Sequence, residues 1–241
     1  MANNECGVIN FEVSMKIGKH TYNGAESDTL HQYGLDIAAR EIWLVPNDDI
    51  SQGIGNDAIN GDPGVEYSMA TRFLKNLHIL MNISDAPILI HLKTMGGDWY
   101  EGMAIYDAID TCPCYTTAIN YTHARSMSSL IFSACDRRVM MPHSIFMFHD
   151  GSMGMDGTVK QFLTEAEQIR LSGKQMREIY VDRMRENSKI WKRKSRAACE
   201  KWVRDMMDKK EDVYFNAADA IKNGFADEIF DGNWDRLADK Q

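Results

Sequence analysis

The chain has 241 residues, 44% of them hydrophobic and 26% charged, with a formal net charge of −8. This fits one folded α/β domain with an extended arm, not a disordered or fibrous chain. The acidic balance argues against a general nucleic-acid binder, which needs a basic face. The lack of any run of about 18 apolar residues argues against a membrane-spanning helix.

The first residues, MANNECGVINFEV, lack the basic and then apolar order of a secretory signal. The five cysteines are odd in number and sit mostly in apolar surroundings. That pattern predicts reduced thiols in a cytoplasmic compartment. Cys112-Pro113-Cys114 has neither zinc-knuckle nor CxxC spacing, so no metal and no other cofactor is expected. The many methionines read as core filling.

Residues 1–35 show little periodicity and predict an N-terminal arm or loop. Glu41 to Val45 is a β-type run closed by Pro46-Asn47-Asp48-Asp49. Residues 51–64, rich in Gly, Asn and Asp, predict a loop. Met69, Phe73, Leu77 and Met81 recur every fourth residue and predict an amphipathic helix. Pro87 to Leu92 is a continuous apolar run and predicts a buried strand. Gly96-Gly97 follows, and then a second helical pattern over Tyr100 to Ile109.

Tyr115 to Ile119 predicts the next strand, and Met127, Leu130, Ile131 and Ala134 the inner face of a third helix. Arg137 to Met141 and Ser144 to Phe148 predict two short strands parted by Pro142-His143. Strands and helices alternating in this way predict a largely parallel sheet with covering helices. After His149 come Gly151, Gly154 and Gly157. A long helical pattern then runs from Val159 to Met184, softly broken at Ser172-Gly173. An arm of this kind suits packing against another copy of the chain.

Lys189 to Arg196 (KIWKRKSR) is locally basic and reads as an ion-paired helix face rather than a nucleic-acid site. Ala198, Trp202 and Met206 mark a further helix. Asn216 with Asp219 resembles a capping box, and Gly224 a helix stop. Phe225 to Phe230 suits a last strand, before a polar tail over 232–241.

Three points carry chemistry. Gly96-Gly97, after a buried strand, permits positive φ and a backbone N–H turned into a cleft. Ser126 stands at the start of a helix, whose free N–H groups stabilise an oxyanion. The same position also suits a mere helix cap. Ser128 and Ser129 fall inside the helix, where hydroxyls bond back to the chain. His149 ends an apolar strand and has the chemistry of a general base. His91 reads as a satisfied core residue, His123 as a neighbour of the same cleft, and His143 as an exposed turn residue. The carboxylate that would orient His149 stays open among Asp205, Asp208, Glu211, Asp212, Asp219 and Asp227. Of these, Asp219 is expected to serve the cap.

These residues resemble the proteolytic subunit of the Clp protease, the ClpP family. Lys93-Thr94-Met95-Gly96-Gly97, followed by Gly102-Met103-Ala104-Ile105-Tyr106-Asp107, is similar to its Ser-Pro-Gly-Gly segment and Gly-Met-Ala-Ile-Tyr-Asp helix. Ala124-Arg125-Ser126-Met127-Ser128 resembles its nucleophile segment. Met141 to His149 resembles the segment ending on its histidine, and Glu211 to Ala220 its Asp-bearing segment.

The resemblance implies an α/β spiral of ClpP/crotonase-like βαβ units with a protruding handle strand and a long helix. The peptidase domain would span 36–231, with the handle at 150–185 and an insertion at 186–208. Ser126 becomes the nucleophile, His149 the base and Asp212 the orienting carboxylate of a serine endopeptidase. The N–H groups of Gly97 and Met127 become the oxyanion hole. Gly96, Trp99, Gly154 and Gly157 become substrate-binding. The implied partners are polypeptide substrates, further copies in heptameric rings stacked as a tetradecamer, and an AAA+ unfoldase, with no nucleic acid or membrane. Met95, Arg125 and Ser128 depart from the family pattern and mark a divergent member, such as a phage-encoded one. Two alternatives stand beside this reading: a catalytically silent ring or scaffold subunit, and a crotonase-like acyl-CoA enzyme.

Overall fold

The computed structural model of the chain describes residues 15–17, 20–45, 64–152 and 154–237. Residues 1–14 of the expected arm, 51–63 of the expected loop and 238–241 of the tail lie outside the described residues, as does Cys6.

The sheet is built around β5 (Ile88–Thr94) and β6 (Thr116–Arg125). β5 is buried at every position except Lys93, as expected for a strand covered on both faces. β4 (Glu41–Leu44) pairs with β5 in parallel, and β3 (Leu35–Asp36) closes that edge antiparallel. On the other side, β7 (Arg137–Met140) pairs with β6 over Thr117–Asn120, and β10 (Glu228–Ile229) follows β7, both in parallel. The upper part of β6 takes a different neighbour. There, β8 (Ile145–Phe148) pairs in parallel with His123–Arg125, and β9 (Val213–Asn216) pairs antiparallel with β8.

Helices α2 (Tyr67–Ile83), α3 (Trp99–Asp110) and α4 (Met127–Ala134) follow the predicted patterns and pack on one face of this sheet. Met69, Phe73, Leu77 and Leu80 are the buried stripe of α2. On the other face, Leu89, Ile119 and Val139 form a small cluster with Leu237. Beside it, His91 stacks on Trp43 with ring centroids 4.0 Å apart. Its two nitrogens meet Tyr121 Oη at 2.9 Å and Glu41 Oε2 at 3.0 Å. His91 is thus the satisfied interior histidine that its strand position implies.

The structure departs from the sequence expectations in four places. The stretch 1–35 contains a hairpin, β1 (Met15–Ile17) with β2 (His20–Tyr22), and a helix, α1 (Gly24–Tyr33). The reciprocal capping box of Asn23 and Glu26 starts that helix, although it buries no side chain. The long helix α5 (Val159–Asn187) runs through Ser172-Gly173 without a break. An interior glycine costs a helix only about 1 kcal/mol, which 29 residues of helix absorb. The segment before it, 149–152 and 154–158, pairs with no strand among the described residues, so of the expected handle only the helix is seen there. Finally, the basic segment 189–196 is not an ion-paired helix face. It forms a 3-10 turn (Trp191–Arg193) leading into α6 (Arg196–Lys210). Among the described residues only its Arg196 is ion-paired, with Asp182 and Glu200.

The expected insertion thus folds as a helix. α6 buries Cys199, Val203 and Met207, and α7 (Ala217–Asn223) ends at Gly224. Asn216 caps α7 by accepting from the Asp219 N–H, so the cap uses the Asp219 backbone and not its carboxylate. Among the described residues no helix is long and apolar enough to cross a membrane.

One ion pair, buried on its arginine side, ties the end of the chain to the sheet. Arg138 is almost fully enclosed, and its Nε and Nη2 donate to the two carboxylate oxygens of Asp227 at 2.9 and 2.8 Å. The Arg138 N–H donates to the same carboxylate at 2.7 Å. Removing one partner of such a pair strands a buried charge. Asp227→Ala should therefore lower unfolding stability by about 3 kcal/mol in a urea titration. A loss under about 1 kcal/mol would show that water reaches Arg138 and that the pair does not anchor β10.

Candidate active site

β6 ends at Arg125, and the chain turns at Ser126 with φ 53° and ψ −130°. A non-glycine residue at positive φ stores strain on the order of 1–3 kcal/mol unless its surroundings hold it there. Here they do. The Ser126 N–H donates to the Met147 carbonyl at 3.1 Å. Its carbonyl accepts from the Ser129 N–H at 3.0 Å and from Ser129 Oγ at 2.6 Å. Ser129 Oγ in turn lies 2.6 Å from the hydroxyl of the buried Tyr180, which burial pushes well above the usual phenol range. Since the Ser129 proton goes to the Ser126 carbonyl, Tyr180 is the donor of that bond.

The Ser126 side chain makes no cap hydrogen bond, so the helix-cap alternative does not hold. Its Oγ lies 2.8 Å from His149 Nε2 instead. His149 Nδ1 lies 3.0 Å from Asp212 Oδ1. A carboxylate can only accept, so Nδ1 carries the ring proton. Nε2 of the neutral ring then accepts from the Ser126 hydroxyl.

Strand register brings these three together. β8 pairs with β6 at Met147↔Arg125, which sets His149, two residues on, beside Ser126. β9 pairs with β8 at Phe148↔Val213, so the residues one step outward, His149 and Asp212, face each other. Glu211, just before Asp212, has φ 57° and makes the sharp exit from α6. The other open carboxylates are elsewhere: Asp227 is held by Arg138 and Asp205 by Lys201. His143 is exposed in its turn, and His123 does not line the cleft. Ser128 is fully buried and does not compete with Ser126.

Gly96-Gly97 lies directly against this turn. A Cβ on Gly96 would sit 2.7 Å from Ser126 Cβ and 2.8 Å from the Arg125 carbonyl. Gly97 has φ 152° and presses on Val65, whose N–H donates to the Gly96 carbonyl at 2.5 Å and whose carbonyl accepts from Asp98 at 2.8 Å. Neither the Gly97 nor the Met127 N–H has a backbone acceptor among the described residues. Both donors stand at the same cleft as Ser126.

That cleft, of about 530 Å³, is lined by Ser126, His149, Gly97, Met127, Trp99 and Leu130 together with one face of α5. Trp99 lines the cleft and also packs on the core. Gly96 supports the site from behind. Gly154 and Gly157 do not line the cleft; Gly151 and Ser152 do. Gly154 stands in open space and Gly157 meets the Gln161 side chain, and among the described residues no strand pairs with the segment to aim it inward. Ser129 bonds back to the chain as its place inside the helix predicts, whereas Tyr180 and the cleft-facing residues of α5 gave no signal in the sequence beyond helical periodicity.

Among the described residues no group of three or more His, Cys, Asp or Glu side chains is arranged to hold a metal ion. Cys112, Cys114, Cys135 and Cys199 are free. Burial pushes the Cys112 thiol up to about 11 and the Cys135 thiol up to about 12, which leaves both unreactive at neutral pH.

Fold and site together have the form of an α/β peptidase. Residues 47–233 match the Clp protease family model, and the chain belongs to that family. It is 28% identical over 170 residues to the ATP-dependent Clp protease proteolytic subunit of Deinococcus radiodurans, covering 69% of this chain and 76% of that one. It is 30% identical over 168 residues to the ATP-dependent Clp protease proteolytic subunit 2 of Pseudomonas aeruginosa, covering 69% and 77%. The solved structure of a ClpP1 point mutant from Listeria monocytogenes has the same fold, with a TM-score of 0.62 at 19% identity over 83% of this chain and 96% of that one. With the family shown, the acyl-CoA alternative falls away.

The contact between Gly96 and Ser126 has a direct consequence. Gly96→Ala must push Ser126 or the Arg125 carbonyl by several tenths of an ångström. Peptide hydrolysis should then fall by about 10²-fold while the circular dichroism spectrum is retained. Full activity in the variant would mean that the turn tolerates displacement and does not set the nucleophile.

Proposed function

We propose that the chain is a serine endopeptidase that cleaves polypeptides through an acyl-enzyme. The observation that supports this most is the unbroken hydrogen-bonded path from Ser126 Oγ through the His149 ring to Asp212. In this reading His149 Nε2 takes the hydroxyl proton as Ser126 Oγ attacks the scissile carbonyl. The N–H groups of Gly97 and Met127 stabilise the tetrahedral oxyanion. His149 then delivers the proton to the leaving amine, and the peptide C–N bond breaks. Water attacks the ester next; His149 takes its proton and returns it to Ser126 as the new carboxylate leaves. Asp212 keeps the ring proton on Nδ1 and stabilises the imidazolium.

The proposal extends to assembly. On α5, Val159, Phe162 and Leu163 lie at i, i+3 and i+4 and are 77%, 58% and 64% exposed. An apolar stripe of this kind on a projecting helix suits burial against a second copy. We take the assembly to be heptameric rings, stacked in pairs, working in the cytoplasm. The name ATP-dependent Clp protease carried by the relatives suggests an AAA+ unfoldase as partner. The rival reading is a silent ring subunit. It draws on Arg125, next to Ser126 in the chain, whose buried Nε has no hydrogen-bond partner among the described residues.

Two measurements separate these readings. A serine-reactive phosphonate should add to Ser126 in intact-mass spectra. Ser126→Ala should lose labelling and at least about 10³-fold in kcat/KM. Unlabelled rings would favour the silent subunit. For assembly, native mass should show a multi-subunit ring that Phe162→Glu with Leu163→Glu breaks into smaller species. An unchanged mass in that variant would remove α5 from the interface.

A further inference from the structure

We infer that Glu165 makes the cleft selective for a lysine or arginine side chain of the substrate close to the scissile bond; this rests on the peptidase reading above. Glu165, Ile169, Ser172, Gly173 and Met176 follow one another at helical spacing and present one face of α5 to the cleft that holds Ser126 and His149. The inner part of that wall is apolar or small, and Leu130 and Trp99 face it. Glu165 stands at its outer end. Alone among residues 159–168 it is half-buried; the others are exposed.

Among the described residues nothing answers its charge. The cleft lining includes three carboxylates, of Asp98, Asp150 and Glu165, and no lysine or arginine. Asp98 accepts from the Glu101 N–H as a helix cap, and Arg177 neutralises Asp150 at 2.9 Å. Among the described residues no hydrogen bond or ion pair reaches the Glu165 carboxylate. By contrast Glu167, on the outer face of the same helix, is paired with Arg170, which holds its carboxyl below the usual carboxylate range. A surface glutamate on a helix normally stays in water. One held half-buried at the mouth of a partly apolar cleft loses some of that water and gains when a cation arrives.

The shape of the cleft fits that cation. Seven residues of helix, about 10 Å, separate Ser172 from Glu165. A long aliphatic stem lies along Leu130, Ile169 and Trp99, and a charged head reaches the mouth, as lysine and arginine side chains do at apolar surfaces. The exposed ring of Tyr100 adds a further attraction for a cation. An acidic side chain would meet unpaired negative charge at the same point and be rejected.

The test uses the full-length assembled protein and peptide pairs that differ only by lysine or norleucine at single positions flanking the cut. Wild type should prefer the lysine peptide by about tenfold in kcat/KM at one fixed position within two residues of the cut. Glu165→Gln should bring that ratio close to one, and Glu165→Lys should shift preference to a glutamate peptide. A ratio of one in wild type, or a preference that survives Glu165→Gln, overturns the inference. Binding of the same peptides to Ser126→Ala, with and without Glu165→Gln, gives a readout that needs no catalysis. Selective binding lost with Glu165 supports the inference even if no phosphonate labels Ser126, an outcome that would sink the peptidase reading instead. Equal binding of both peptides overturns the role of Glu165 alone.

Discussion

β6 is ten residues long, and β7 covers only Thr117–Asn120 of its edge. The remaining N–H and C=O groups need partners, above all around Ala124, which is fully buried. β8 supplies them over His123–Arg125, and the last bond of that ladder joins the Ser126 N–H to the Met147 carbonyl. The site follows from this division of one strand between two neighbours. It places the end of β8, and with it His149, beside the turn at Ser126. It also leaves the far edge of β8 free for β9, which delivers Asp212. Three residues distant in sequence meet because two strand registers leave them nowhere else to be.

The strained turn needs support from behind, and the structure supplies it in layers. Gly96 fills the space where any side chain would meet Ser126 Cβ. Tyr180 and Ser129 hold the Ser126 carbonyl from the α5 side. Behind β8, Phe146 stacks on Phe225 with centroids 4.7 Å apart, and Phe148 packs on Tyr180 at 5.1 Å. Aromatic packing of this density resists the small shifts that would relax Ser126 to an ordinary conformation. The strain thus stays where it exposes a hydroxyl to a base.

Local pattern made much of this legible. Helical periodicity located α2, α3 and α4, and the apolar run of Pro87 to Leu92 located β5. Ser126 stood out because it opens an apolar helix, and His149 because it ends an apolar strand. Asp212 did not, since six carboxylates in the last third of the chain looked alike. What separates them is pairing: Asp227 meets Arg138 across 89 residues, and Asp212 meets His149 across 63. No periodicity encodes a register between β8 and β9, so only the family resemblance pointed to Asp212. Helix α1 was overlooked although Asn23 and Glu26 spell its capping box, because it buries no apolar face to give a period. Gly154 and Gly157 misled for the opposite reason. Their spacing was visible, but spacing does not encode direction, and no strand among the described residues pairs with their segment.

The segment 186–208 separates α5 from the strand that carries Asp212, yet the site does not depend on its length. α6 buries Cys199, Val203 and Met207 against the core, and Trp202 meets both Phe148 and Phe215. Ser188 fixes its start by donating to the Lys222 carbonyl, and Trp191 by donating to Asn223. The segment is thus a folded element with its own packing, anchored at both ends, and not slack chain. The positive φ of Glu211 then turns the chain sharply out of α6 into β9. From that point the ladder with β8 sets where Asp212 lies, whatever precedes it. Since loop closure grows only slowly in cost with length, chain can be added before this turn without moving the carboxylate. Register, rather than spacing, is what holds the carboxylate beside His149, as it holds His149 beside Ser126.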